Sequence, residues 1–327
     1  MPAAADGAEP RRAGLHGGYE DARPKWSDPA VTAGGKARAT VSPTRLETLW
    51  VNTGTLCNIA CAHCYIESSP RNDRLAYLSV ADLRPFLDEI ESEGLGTREI
   101  GFTGGEPFLN PEMTAMAALC LERGFEVLIL TNAMKPLMNR RADLLSLKGR
   151  FGAKLRFRVS LDHHTAAVHD GERGAGAFDA AVLGLRWLAE NGFPVGVAGR
   201  ALTDEEPGAS KDGYRALFER LKIALDASDP KVLTVFPEMD ESAEFPEITT
   251  ECWGLLKKAP ASVMCASSRM LVKRKGEGVL RVQACTLLAY DDRFSMGKSL
   301  VESLKPVSLV HPHCAAFCVL GGASCAG

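Results

Sequence analysis

Between positions 46 and 236 short apolar runs alternate with longer amphipathic stretches, the pattern of repeated βα units. Six runs, 46–52, 99–103, 126–131, 155–161, 194–201 and 232–236, are each short, apolar and followed by a turn or polar loop, so they are expected to be strands. Helical spacing of apolar residues marks 79–93, 111–123, 135–147, 178–190 and 213–225. Ser79 and Asn110 stand where capping side chains belong, and Gly94, Gly124 and Gly192 where helices stop. Right-handed crossovers would make the strands parallel, and six such units close only part of a barrel. The predicted fold is α/β, a partial (β/α)6 barrel with an open side that admits a substrate.

The pattern fails at both ends. Residues 1–45 are rich in Ala, Gly, Pro and Arg without periodicity, which predicts a disordered lead-in too short and polar to form a recognition domain. After about 237 the alternation is lost, leaving 46–237 as the barrel and 238–327 as a Cys-rich extension. Hydrophobic residues make up 46% and charged residues 24%, with a net charge of −3. That is an ordinary globular composition with no basic excess to attract nucleic acid. No apolar stretch reaches the ~18 residues of a membrane span and no signal-peptide core is present, so a cytoplasmic protein without membrane attachment is expected.

The ten cysteines change the picture. Three lie between 57 and 64, five between 265 and 325, and Cys120 and Cys252 stand apart as ordinary buried thiols. In a reducing compartment, grouped cysteines read as metal or cluster ligands, here two separate sites. Cys57, Cys61 and Cys64 fall in the loop after the first strand, at the barrel end where reactive groups collect. Three thiolates spaced in this way can hold three corners of a cubane cluster and leave one iron open. A zinc knuckle using His63 as fourth ligand is the alternative. After the second strand comes Thr103-Gly104-Gly105-Glu106-Pro107, two glycines that let backbone approach a ligand and a carboxylate that can pair with an amino group.

The segment Cys57-Asn58-Ile59-Ala60-Cys61-Ala62-His63-Cys64 resembles the CxxxCxxC motif of radical S-adenosylmethionine (radical SAM) enzymes, and Gly104-Gly105-Glu106 resembles that family's GGE motif. The resemblance implies a catalytic [4Fe–4S] cluster on the three cysteines. It also implies S-adenosylmethionine bound to the open iron with its amino group at the GGE segment, and reductive cleavage to a 5′-deoxyadenosyl radical that takes hydrogen from a substrate. It implies a reducing partner such as flavodoxin or ferredoxin. Ser160-Leu161-Asp162, followed by His169-Asp170 and Arg173, resembles a stretch of the subfamily of sulfatase-maturing and peptide-modifying enzymes. By that likeness Ser160 and Asp162 are candidates for the cofactor's ribose or carboxylate; Arg200, at the end of the fifth strand, is a candidate for the carboxylate. Thr131 and Asn132 are expected near the same pocket.

Cys265, Cys285, Cys314, Cys318 and Cys325 resemble the SPASM or shorter twitch extension, which carries auxiliary clusters. Four thiolates suffice for one [4Fe–4S] cluster, so a second, auxiliary cluster with a spare cysteine is expected, a zinc site being the alternative. His311 and His313 flank this group as ligands or as loop residues. With so short a lead-in, the expected substrate is a small molecule, or a peptide presented by another protein. Two other classes stay open: a non-catalytic iron–sulfur scaffold or electron carrier, and a zinc-stabilised binding module.

Overall fold

A computed structural model describes residues 23–201, 205–238 and 243–321. Its main sheet carries the six expected strands in parallel order: β2 (Thr48–Asn52), β3 (Glu99–Thr103), β4 (Glu126–Thr131), β5 (Leu155–Ser160), β6 (Val195–Arg200) and β7 (Leu233–Phe236). Intervening helices include α1 (Val80–Ser92), α2 (Met113–Glu122), α3 (Lys135–Met138), α4 (Arg141–Phe151), α5 (Ala166–Arg173), α6 (Ala177–Glu190) and α7 (Pro207–Leu221). The partial (β/α)6 barrel is present. Its local rules hold where side chains set them: Ser79 and Asp82 form a reciprocal capping box that starts α1.

Period-2 alternation along each strand separates two cores. In β2 and β4, Leu49, Val51, Val127 and Ile129 face the helices, while Trp50 and Leu128 face the barrel interior. In β5, Leu155, Phe157 and Val159 join the helix-facing core. That leaves Arg156, Arg158 and Ser160 on the inner face, so the barrel lumen is polar on this side.

Three features differ from the sequence expectation. The stretch 135–147 is two helices, α3 and α4, and the short α5 follows β5. The barrel does not end at 237: β8 (Ser268–Val272) pairs parallel with β2, and β9 (Arg281–Gln283) and β10 (Ser295–Gly297) continue the same sheet antiparallel, giving the order β10-β9-β8-β2-β3-β4-β5-β6-β7. The C-terminal region is thus joined to the first barrel strand through backbone hydrogen bonds.

The lead-in is also not loose throughout. Residues 1–22 lie outside the described residues, but β1 (Thr40–Val41) pairs with β11 (Val307–Ser308). Buried Arg38 is ion-paired with Glu247 and donates to the carbonyl of Val31. Residues 23–45 therefore pack with the C-terminal extension, because a buried guanidinium and an edge strand find partners more than 200 residues away. Ala39, Val41, Ile248, Val263 and Leu309 share one apolar cluster there.

Candidate active site

A cavity of about 220 Å³ opens at the C-terminal ends of the barrel strands. Cys57, Cys61 and Cys64 all border it, as do Gly104, Gly105, Thr131, Asn132, Ser160, Asp162 and Arg200. The sequence motifs thus meet in one place, as the ends of parallel strands require. No disulfide ties the three thiols.

The cluster loop is held by backbone. The N–H of Gly105 donates to Gly54 O (2.8 Å) and that of Glu106 to Leu56 O (3.1 Å), while Thr53 N–H donates to Thr103 O (2.8 Å). A Cβ on Gly105 would lie 2.2 Å from Leu56 O, and one on Gly104 2.5 Å from Gly54 O. The two glycines therefore let the cysteine loop sit against the β3 exit, in addition to bordering the cavity with their backbone. Gly104 also has φ +137°, which a side chain would oppose.

Glu106, the third residue of the segment, does not border the cavity. It is fully buried behind the cavity wall, where its carboxylate accepts from Thr131 Oγ1 (2.9 and 3.0 Å), Asn132 N–H (2.9 Å) and Phe108 N–H (3.2 Å). Burial raises its pKa to about 7 despite these donors. Its geometric effect is to fix Thr131 and Asn132, which do border the cavity. Asn132 Nδ2 in turn donates to Asn58 Oδ1 (2.9 Å) and to Cys57 Sγ (3.9 Å).

Asp162 faces a guanidinium. Arg173 Nε and Nη2 reach its two oxygens at 2.6 and 2.8 Å, a bidentate pair in which Asp162 is buried and Arg173 largely so. Burial opposes ionisation of Asp162, but Arg173 outweighs it and holds the carboxyl below its usual range. The rest of the stretch serves that pair: Asp162 N–H donates to His169 Nδ1 (3.1 Å), and Asp170 accepts from Gly176 and Phe178 N–H beyond α5. Arg173 borders the cavity and its positive charge acts on Cys61. Arg200 is paired as well, with Glu238 (2.8 Å) and Glu172 (3.2 Å). His63 Nδ1 lies 2.9 Å from Glu172, so its hydrogen bond, on an exposed ring, follows the loop reading and not the zinc-knuckle one.

Burial also disfavours the thiolates, pushing Cys57 up to about 12 and raising Cys61. Such groups ionise when a metal supplies the countercharge. Ser68 N–H donates to Cys64 Sγ (3.3 Å), the kind of contact that tunes cluster potentials. Three soft donors beside a cavity that Asp162, Arg173 and Arg200 also border fit an iron–sulfur cluster that would have one iron without a protein ligand.

Four of the five C-terminal cysteines form a second group. Cys265, Cys285, Cys314 and Cys318 surround a gap of about 20 Å³ with His313, Met264, Leu287 and Phe294. Cys325 lies outside the described residues. Cys265 follows from a turn before β8, Cys285 from the end of β9, and Cys314 and Cys318 from one π-helical segment, Cys314–Leu320. Burial raises Cys265 to about 11 and Cys314 well above the normal range. Leu287 borders both this gap and the larger cavity, and Thr286 and Phe317 also reach the cavity. Among the described residues no three cysteine thiols lie within 4.8 Å of one another, whereas thiolates around a single zinc ion sit roughly 3.8 Å apart from ~2.3 Å bonds.

Sequence reasoning overlooked Arg158, Glu172, Tyr65 and Leu287. Arg158 had a signal, since a charged residue two positions before Ser160 on an apolar strand points into the lumen. The others depend on contacts between distant segments.

Residues 51–212 match the family model for the Radical SAM superfamily. The chain is 34% identical over 143 residues to the antilisterial bacteriocin subtilosin biosynthesis protein AlbA of Bacillus subtilis, covering 43% of this chain and 30% of that protein. It is 30% identical over 169 residues to the mycofactocin maturase MftC of Mycobacterium tuberculosis, covering 52% and 41%. It thus spans less than half the length of these relatives. Streptococcus suis SuiB bound to precursor peptide SuiA shares the fold with a TM-score of 0.56 at 13% identity, over 81% of this chain and 65% of that one. The structure of anSMEcpe with bound AdoMet gives 0.55 at 14% identity, over 79% of each chain. Among the described residues no helix is long and apolar enough to cross a membrane. With CxxxCxxC and GGE segments on adjoining strand ends of a partial barrel, and a family match across 51–212, this chain belongs to the radical SAM superfamily.

Proposed function

We propose that the protein is a radical SAM enzyme acting on a peptide substrate, with a catalytic [4Fe–4S] cluster on Cys57, Cys61 and Cys64 and an auxiliary cluster on the C-terminal cysteines. The observation that carries this reading is the convergence of the three thiols with the Gly104-Gly105 backbone, Ser160, Asp162 and Arg200 on one cavity. When bound, cluster and S-adenosylmethionine together supply the electron and the 5′-deoxyadenosyl radical that removes hydrogen from the substrate.

The chain's own residues do the positioning. Arg173, anchored by Asp162, sets a fixed positive charge beside Cys61 and so offsets the negative charge of ligated thiolates. Glu106 orients Thr131 and Asn132 on the cavity wall, and Asn132 supports Cys57. Gly104, Gly105, Ser160, Asp162 and Arg200 are assigned to S-adenosylmethionine, with Glu106 acting through its neighbours. Peptide as the substrate class rests on the relatives named as a bacteriocin biosynthesis protein and a maturase, and on SuiB being solved with a precursor peptide. Cys265, Cys285, Cys314 and Cys318 are the four assigned to the auxiliary cluster, and a flavodoxin or ferredoxin to the reductant.

Anaerobic reconstitution with iron and sulfide tests the assignment. About eight irons per chain are expected from two four-iron clusters, with S-adenosylmethionine altering the electron paramagnetic resonance spectrum of the dithionite-reduced protein. About four irons with that response would retain the barrel cluster and remove the auxiliary one. A colourless protein loaded with zinc, its spectrum indifferent to S-adenosylmethionine, would overturn the reading.

A further inference from the structure

Directly after Asp162, the exit of β5 carries two histidines that the cavity does not use. The buried His163 ring lies 2.8 Å from Thr165 Oγ1 through Nδ1, and its Nε2 lies 3.3 Å from Glu205 Oε1, outside hydrogen-bonding geometry. His164 Nε2 lies 3.9 Å from the same oxygen. The rings stack with centroids 4.1 Å apart. Each ring has a buried nitrogen without a hydrogen-bond partner among the described residues, Nε2 in His163 and Nδ1 in His164. Room is made by Gly213 in α7, where a Cβ would stand 2.4 Å from His164 Nε2.

We propose that His163, His164 and Glu205 form a binding site for a divalent transition metal of the zinc type, separate from both cysteine groups. One donor atom from each residue falls within 4.8 Å of the other two. Tetrahedral nitrogen and oxygen ligands at ~2.1 Å from zinc stand roughly 3.4 Å apart, so only small side-chain adjustments close the set. Neutral imidazoles are the form that ligates, and burial with the neighbouring His163 lowers the His164 pKa in that direction. Thr165 N–H also points at His163 Nδ1 (3.0 Å). That contact makes Nδ1 an acceptor; ligation through Nε2 would move the ring proton to Nδ1, which would give up the Thr165 N–H and donate to Thr165 Oγ1 (2.8 Å), the outer-shell bond that orients a histidine ligand. Glu205 is the exposed member, so water would complete the coordination.

The consequence is mechanical. Asp162 O accepts from Arg200 N–H (2.9 Å), joining the exits of β5 and β6. An ion held by His163, His164 and Glu205 would add a second tie from the β5 exit to the start of α7, next to both Asp162 and Arg200. This role is independent of the chemistry proposed for the cysteines.

The test uses the full chain, anaerobically loaded with iron and sulfide, then equilibrated with Zn²⁺ and freed of excess. Zinc per chain and the zinc K-edge absorption spectrum are compared between wild type, His164→Ala and Glu205→Gln. The expected result is one zinc with nitrogen and oxygen ligands only, absent in His164→Ala and held at least about tenfold more weakly in Glu205→Gln. Glu205 is exposed, so its substitution tests ligation without disturbing the packing around the rings. Equal zinc in all three proteins, or a spectrum showing sulfur ligands, would overturn the site and leave the three residues as a hydrogen-bonded clasp.

Discussion

The two cysteine groups solve different problems with the same donor. Cys57, Cys61 and Cys64 come from one loop and border a cavity of about 220 Å³ lined also by Arg173, Asp162, Ser160 and Arg200. Cys265, Cys285, Cys314 and Cys318 come from three separate segments and close on a gap of about 20 Å³ among Val263, Leu287, Phe294 and Leu309. A site that must admit cofactor and substrate keeps an open, charged face. On the proposed assignment, a site that holds only an inorganic group can be walled by apolar side chains, and because it gathers distant segments its occupancy would be bound up with folding. Local spacing therefore reveals the first group and only hints at the second.

Replacing Cys57, Cys61 and Cys64 together with Ala should have the largest effect, reducing 5′-deoxyadenosine formation below detection while about four irons remain per chain. Colorimetric iron analysis and chromatography of the nucleoside check it. Uncoupling in that direction is what separates the groups; loss of all iron would merge them.

Arg173→Met should come next. It strands the buried Asp162 carboxylate, so roughly 3 to 5 kcal/mol of stability should be lost in denaturant unfolding, along with most S-adenosylmethionine cleavage. The double variant Asp162→Asn, Arg173→Met should recover much of the stability but little activity. Recovery of both would show that the pair is structural only.

Glu106 provides a pH test. Its folded pKa of about 7 lies above the ordinary 4.5, so the folded state binds the proton more tightly than the unfolded one. Its contribution is therefore present below pH about 4.5 and lost as pH rises through 7, at most on the order of 3 kcal/mol. Glu106→Gln should flatten that part of the stability profile measured by urea unfolding between pH 5 and 8. An unchanged slope would place the titration elsewhere.

The smallest effect belongs to Cys120, a fully buried thiol of α2 in the helix-facing core. Cys120→Ala should leave iron content and turnover unchanged and cost about 1 to 2 kcal/mol. Loss of iron there would contradict its reading as a packing residue.

The barrel was legible because its signals are local. Apolar runs, capping residues and glycines located six strands, and motif cysteines fell on the first strand's exit. The return of β8 beside β2 was not legible, since its short apolar run 270–272 lies within the cysteine region and gains meaning only from a partner over 200 residues earlier. Residues 23–45 looked disordered by composition, yet Arg38 and β1 are ordered by Glu247 and β11. At the site, residue types were found but roles shifted. Nothing in Gly-Gly-Glu says that the glycines accommodate residues 54–56 or that the carboxylate turns back on Thr131 and Asn132. Arg173 stood in the quoted stretch, but its pairing with Asp162 follows from the short helix α5 bringing it back over the β5 exit.

The most direct measurement compares 5′-deoxyadenosine release from wild type, the Cys57/Cys61/Cys64 triple alanine variant and Cys314→Ala, each reconstituted anaerobically and given dithionite and S-adenosylmethionine. The account predicts release from wild type, none from the triple variant, and continued release from Cys314→Ala with about half the iron. No release from a wild-type protein carrying its full iron, or equal release from the triple variant, would contradict it.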